Sequence, residues 1–193
     1  MVQFASESAP HTRQAKLIVL DRDGVINYDS DQFIKSPEEW RPIPGSLEAI
    51  ARLNHAGFRV VVATNQSGLG RGLFDTAAMI AIHDKLYKAL AQVGGRLDAI
   101  FFCPHPADAG CECRKPKPGL LTEIGQRFGV ELTGVPCVGD SLRDLQAAEA
   151  VGAQPILVLS GKGEKTLRQG NFPKNTIIFP DLAFAATALL AGD

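Results

Sequence analysis

The sequence has no apolar run approaching the roughly 20 residues that an α-helical membrane span needs. It also has no charge excess: 20 Lys and Arg stand against 21 Asp and Glu, a net charge of −1. No basic field exists to draw in nucleic acid or an anionic membrane surface, so any anion must be held by a local cluster. Internal repeats and low-complexity tracts are absent as well. Residues 1–15 are small and polar and lack the continuous apolar stretch of a secretory signal. They read as a flexible tail on a cytoplasmic protein, a compartment where disulfides are uncommon. The expected partner is a small molecule, with no nucleic acid and no membrane, and the expected state is a monomer.

What remains is 193 residues, 45% apolar and 21% charged, enough for one soluble domain with an ordinary core. That domain is expected over residues 16–193. Short apolar runs alternate with amphipathic stretches. Lys16–Leu20, Arg59–Ala63, Ala99–Phe102, Val135–Val138, Ile156–Leu159 and Thr176–Phe179 read as strands. Ser46–His55, Asp75–Val93, Pro118–Phe128, Leu142–Val151 and Leu182–Leu190 read as helices. In Ser46–His55, Leu47, Ile50 and Leu53 share a face, and Asp75 is a fitting N-cap. The alternation predicts an α/β fold, a Rossmann-like parallel sheet flanked by helices. Two segments break the pattern: Asn27–Pro44, which is polar and proline-punctuated, and Cys103–Pro118, dense in Cys, His and Pro.

Ligands of open parallel sheets bind beyond the carboxyl ends of the strands. Strand one runs into Asp21-Arg22-Asp23-Gly24 and strand two into Thr64-Asn65-Gln66-Ser67. Strand three leads through the Cys/His segment to Arg114-Lys115, and strand four into Gly139-Asp140-Ser141 and Asp144. Close carboxylates repel one another unless a cation intervenes. Magnesium prefers oxygen ligands, typically one or two carboxylates with waters and phosphate. Thr64 and Lys115 are suited to neutralising a transferring phosphoryl group. Taken singly, each acid also reads as a turn former, Thr64 as a cap and Lys115 as a surface lysine. Their joint placement at strand ends favours a phosphoryl-transfer site.

Asp21-x-Asp23-Gly24-Val25, Thr64, Lys115 and Gly139-Asp140-x3-Asp144 together resemble the motifs of the haloacid dehalogenase superfamily over about residues 16–160. The resemblance implies that Asp21 is a nucleophile forming an aspartyl-phosphate. It implies that Asp23 is the general acid and base. Asp21, the backbone carbonyl of Asp23 and Asp140 would hold magnesium, with Asp144 nearby, bonding Lys115 or a metal-bound water.

Cys103, His105, Cys111 and Cys113 put four soft ligands in one short segment, which fits a closed structural zinc site. The other readings are a disulfide and unrelated thiols. Cys137, in a strand, reads as an inert core thiol. His11, His55 and His83 show no partners in sequence.

With the flanking Arg114-Lys115-Pro116, this segment resembles two phosphatase groups without a large cap domain. One acts on a heptose 1,7-bisphosphate, on the route to nucleotide-activated heptose and lipopolysaccharide; the other acts on histidinol phosphate. Asp21–Asn27, Thr64–Gly72 and Cys113–Gly119 favour the heptose group. The substrate contacts it implies are Asp29, Ser30, Asp31, Gln32 and Phe33, then Asn65, Gln66 and Ser67, and finally Arg114 and Ser141. Ser141 stands where many heptose enzymes carry lysine, and the five-residue gap from His105 to Cys111 is closer to the histidinol-phosphate group. Arg71, Arg114 and Lys117 are candidate cations for a second phosphate. Glu112, Asp29 and Asp31 would suit the amine of histidinol phosphate. A phospho-receiver domain is a reading of another class, disfavoured by Asp23 and by the Cys/His segment. A phosphomutase is disfavoured because no capping insertion is visible.

Overall fold

In the computed structural model, which describes residues 16–192, the chain folds around one six-stranded sheet. The tail expected over residues 1–15, with His11, lies outside the described residues. The strands are β1 (Leu17–Leu20), β2 (Arg59–Asn65), β3 (Ala99–Cys103), β4 (Pro136–Gly139), β5 (Gln154–Val158) and β6 (Ile177–Phe179). Every pairing is parallel, in the order β3-β2-β1-β4-β5-β6. Successive residues face opposite sides. Ile18 and Leu20 join Val60, Val62 and Val138 in one core, while Leu17 and Val19 join Val61, Ala63 and Cys137 in the other. Burial on both faces explains the continuous apolar runs.

The helices are α1 (Ser46–His55), α2 (Ser67–Gly70), α3 (Thr76–Gln92), α4 (Gly119–Phe128), α5 (Leu142–Ala150), α6 (Gly163–Gln169) and α7 (Leu182–Ala191). Ile50 and Leu53 of α1, Ile82 and Leu86 of α3 and Ala185 of α7 pack in the first core. Leu120 and Ile124 of α4 and Ala147 and Ala148 of α5 pack in the second. The carboxylate of Asp75 accepts a hydrogen bond from the Ala78 N–H, as expected of a cap. Pro118 is the residue before α4 rather than its first helical residue. β5 starts two residues earlier than its apolar run suggests, because Gln154 and Pro155 pair with Pro136 and Cys137. The short helices α2 and α6 were not expected; four and seven residues carry too little period to read.

The strand order places the catalytic candidates. From β1 the chain runs outward through β2 to β3, then returns to lay β4 on the other side of β1. This reversal leaves a crevice at the carboxyl ends of β1 and β4, where Asp21 and Asp140 follow the strands. Among the described residues no large cap covers it. Residues 27–44 lie across the sheet end, anchored by an Asn27–Pro42 bridge, by buried Trp40 and by the Lys85 ammonium, which donates to the Pro37 and Trp40 carbonyls. No helix among the described residues is long and apolar enough to cross a membrane.

Candidate active site

The carboxylates of Asp21, Asp140 and Asp144 each bring an oxygen within 4.8 Å of the others, and all three are buried. Burial pushes Asp21 up to about 6, with Asp144 and Asp23 adding repulsion against the pull of Lys115. Burial and then Asp144 and Asp21 push Asp140 up to about 8. Such a cluster is under charge strain and matches the donor set of a divalent cation. Lys115 relieves part of the strain. Its Nζ lies 3.1 Å from Asp21 Oδ1 and 2.6 Å from Asp144 Oδ1, and donates to the Ala63 carbonyl at 2.7 Å. Burial pulls its pKa down, but Asp144 and Asp21 outweigh that and raise it above the ordinary lysine value. Asp144 has its second oxygen tied to the N–H and hydroxyl of Ser141. Both of its oxygens are therefore engaged, which leaves Asp21 and Asp140 as the freer ligands. Asp21 Oδ1 also accepts from the Arg22 N–H at 2.8 Å.

Gly24 makes this approach possible. Its φ of +83° favours glycine, and a Cβ there would collide with the Asp140 carboxylate. Asp140 is held from the far side by the Lys162 N–H, 2.8 Å from Oδ2.

Asp23 sits in a polar cradle. Arg22 grips both its oxygens through Nε and Nη2 at 3.0 Å, Asn27 donates to Oδ1 and Gln66 to Oδ2 at 2.9 Å. Burial raises this carboxyl, yet Arg22 and the Asn27 and Gln66 bonds outweigh it and hold Asp23 below the usual carboxylate range. Gln66 also donates to the Thr64 hydroxyl at 2.9 Å and accepts from Arg22 at 3.1 Å, linking the ends of β1 and β2. His83 of α3 backs Arg22 at 3.4 Å. Burial and the Arg22 charge push its imidazole down to about 4, against the weaker pull of Asp23 and Asp84. Below its ordinary value of 6.5 the unfolded chain takes up a proton that the folded chain refuses until about 4. Stability therefore falls as pH drops through that window. Thermal unfolding followed across it should show a shallower acid loss for His83→Gln than for the parent; equal slopes would remove His83 from this account.

Most of the expected contact residues line one cavity of about 240 Å³ beside Asp21: Asp29, Ser30, Asp31 and Phe33, with Asn65, Gln66, Ser67 and Arg114. Two do not. Gln32 is exposed and lines an adjoining outer hollow that shares Asp29, Ser30 and Phe33 with the cavity. Ser141 lines no part of the cavity; it is the N-cap of α5, its hydroxyl committed to Asp144 in a capping box. Asn65 also has a structural task, bracketing the Lys115 backbone through both its amide atoms at 3.0 and 3.1 Å. Lys117, a candidate second-phosphate cation, is instead paired with Glu112 at 2.7 Å outside the cavity. Four cations line the cavity: Arg71, Arg114, Arg143 and Lys162. Arg143 and Lys162 escaped the sequence reading. Arg143 looks like any helix-surface arginine, and Lys162 follows a strand without a recognisable motif. The Lys162 ammonium spans Asp29 at 2.8 Å and Asp31 at 3.2 Å, one positive charge against two acids.

The Cys/His segment folds into a tight cluster. Cys103 Sγ lies 3.2 Å from Cys113 Sγ and 3.6 Å from Cys111 Sγ, and His105 Nδ1 lies 3.3 Å from Cys113 Sγ. No disulfide joins them. Zinc–sulfur bonds of about 2.3 Å imply tetrahedral edges of about 3.7 Å, close to these separations. Cys137, in β4, is buried apart from the cluster. The segment is stapled to the site: the Gln66 N–H donates to the Cys103 carbonyl at 2.8 Å and the Gly70 N–H to that of Pro104 at 3.0 Å.

Comparison with known proteins places this geometry. Residues 16–144 match the family model of polynucleotide kinase 3 phosphatases, and residues 112–185 that of HAD-hydrolase-like proteins. The chain is 62% identical over 175 residues to a D-glycero-beta-D-manno-heptose-1,7-bisphosphate 7-phosphatase of Bordetella bronchiseptica, covering 91% of this chain and 98% of that one. It is 56% identical over 174 residues to the enzyme of the same name from Pseudomonas aeruginosa, covering 90% and 97%. A crystal structure of the B. bronchiseptica phosphatase, complexed with magnesium and phosphate, superposes with a TM-score of 0.91 at 61% identity, covering 92% of this chain and 99% of that one. The Burkholderia thailandensis phosphatase superposes with a TM-score of 0.74 at 52% identity, covering 91% and 99%.

Proposed function

The chain belongs to the haloacid dehalogenase-like phosphatases, and from that membership we propose that it is a magnesium-dependent phosphatase removing the 7-phosphate of D-glycero-D-manno-heptose 1,7-bisphosphate, on the route to nucleotide-activated heptose for lipopolysaccharide. The observation that carries the substrate choice is the number of cations in the cavity, where Arg71, Arg114, Arg143 and Lys162 stand against Asp21, Asp23, Asp29 and Asp31. Beyond Lys115, four cations line it, more than one transferring phosphoryl group uses. Of the two cavity acids that might have received the amine of histidinol phosphate, the charge of one is already balanced by Lys162. The relatives at 56–62% identity bear the heptose bisphosphatase name.

Asp21 and Asp140, with the Asp23 backbone carbonyl, would hold magnesium, which when bound neutralises charge on the phosphoryl oxygens. Asp21 has Oδ1 fixed by Lys115 and the Arg22 N–H, which presents Oδ2 as the nucleophile. Oδ2 attacks the phosphorus of the 7-phosphate, and the bond from phosphorus to the sugar oxygen breaks. Asp23 gives a proton to the departing alkoxide. At rest its cradle holds Asp23 anionic. An arriving phosphate, a like charge, raises it toward the protonated form. Water then attacks the aspartyl-phosphate and passes its proton to Asp23, releasing inorganic phosphate and restoring Asp21. Thr64 and Lys115 stabilise the charge on the transferring group.

We assign zinc to Cys103, His105, Cys111 and Cys113, in a structural role. The cluster sits directly before Arg114 and Lys115 and sets the path that delivers them.

The test is phosphate release with magnesium from heptose 1,7-bisphosphate, histidinol phosphate and an aryl phosphate. The bisphosphate should show the highest kcat/KM, by roughly 10²-fold or more over the aryl ester, because remote binding energy is used at the reacting centre. Preference for histidinol phosphate would replace the substrate named here.

A further inference from the structure

Arg143 is the one cavity cation that no hydrogen bond, ion pair or ring contact among the described residues engages. Its Nε is shut off from solvent and has no hydrogen-bond partner. Among the described residues no side chain ion-pairs or hydrogen-bonds with it, although Asp144, Asp21, Asp140 and Asp29 all act on its charge. Arg71 stacks near Phe33, Lys162 spans two acids and Arg114 donates to the His105 carbonyl. Arg143 has nothing comparable.

Its place in the chain is also unfavourable for folding. Arg143 is the second residue of α5, where the helix dipole presents its positive end. A cation there opposes the dipole, and its partial withdrawal from water is offset by the charges of Asp144, Asp21, Asp140 and Asp29 rather than by a hydrogen bond. The capping box of Ser141 and Asp144 already satisfies this helix end, so Arg143 is not needed as a cap. A guanidinium in the wall of a binding cavity, with its Nε shut off from solvent and unpartnered, is what an anionic ligand would complete.

Topology indicates which anion. Arg114 enters from the loop after β3 and Arg143 from the helix after β4, so β2 and β1, carrying Thr64 and Asp21, lie between them. The transferring phosphoryl group is served by Lys115 and Thr64 at those middle strands. The two arginines face the same cavity from its flanks. We propose that Arg143 is the specificity residue for the phosphate that is not transferred, gripping it together with Arg114. The proposal rests on the bisphosphate reading above. It gives the guanidinium fork a bidentate partner that lysine would match only as a point charge.

The test compares the parent enzyme with Arg143→Ala, Arg143→Lys and the control Lys117→Ala. Each is assayed with magnesium on heptose 1,7-bisphosphate and on heptose 7-phosphate, which has the same leaving group but no second phosphate. Arg143→Ala should raise KM for the bisphosphate by roughly 10-fold or more, the worth of a charged hydrogen bond. Its kcat should stay near the parent's and its kcat/KM on the monophosphate should not change, so the preference for the bisphosphate collapses. Arg143→Lys should recover part of the loss, and Lys117→Ala should behave as the parent. Bound zinc and unfolding temperature should match the parent in all variants, which separates lost binding from lost fold. Equal losses on both substrates, or a preference undiminished in Arg143→Ala, overturn the assignment while leaving the substrate reading intact. A parent enzyme with no preference for the bisphosphate defeats that reading, and the Arg143 proposal with it.

Discussion

Replacing Asp21 with Asn should lower kcat on the bisphosphate by roughly 10⁴-fold or more, because the nucleophile itself is removed and no neighbour can substitute. Asp140 has Oδ2 held by the Lys162 N–H, and Asp144 has both oxygens engaged. Asp23 is locked in its four-donor cradle. The fold should survive. Asp21 is a buried carboxyl already pushed up to about 6, and a neutral isostere removes its repulsion with Asp144, Asp23 and Asp140. An unfolding temperature equal to or above the parent's in metal-free buffer, with zinc content unchanged, is the expected companion result. A variant keeping a tenth of the parent kcat would mean that another group attacks phosphorus.

The second large effect is expected at the Cys/His cluster. Cys103→Ser removes a ligand that is fully buried at the end of β3. On the zinc assignment proposed above, the chain then loses a metal whose binding is part of its folding free energy. Bound zinc should fall from one per chain to near none, and the unfolding temperature by roughly 10 °C, at about 2–4 °C per kcal/mol for a domain of this size. Activity should fall with it, since Arg114 and Lys115 follow Cys113 directly and Asn65 holds the Lys115 backbone from the facing loop. Cys137→Ala is the control: that thiol is buried in β4 outside the cluster, and its variant should keep its zinc. Cys103→Ser protein with full zinc and an unchanged transition would reduce the cluster to three chance thiols and a histidine.

The parts of the site that could be read in the sequence are those marked by strand ends. Leu17–Leu20 and residues 60–63 are continuous apolar runs because helices cover both faces of the sheet, and the polar residues that follow them stand out for that reason. The Cys/His cluster was legible because its ligands are close in sequence as well as in space. Other features depended on side-chain direction, which spacing does not give. Ser141, adjacent to Asp140, was read as a ligand contact but turns inward to cap α5. Asn65, between Thr64 and Gln66, serves partly as a bracket between loops. Gln32 belongs to a run of candidate contacts yet points to the outer hollow. Arg22 reads as a spacer between two aspartates but organises Asp23, Gln66 and His83 around its guanidinium. Arg143 and Lys162 required the fold, because only the β4–β5 side of the crevice brings them to Asp21.

The central claim is that phosphate passes through Asp21. Single-turnover reactions with bisphosphate labelled at the 7-phosphate, quenched in acid on the millisecond scale and followed by peptide mapping, test it directly. The account requires transient label on the peptide carrying Asp21, rising before free phosphate and absent from Asp21→Asn. Phosphate released at full rate with no label ever on that peptide would contradict it.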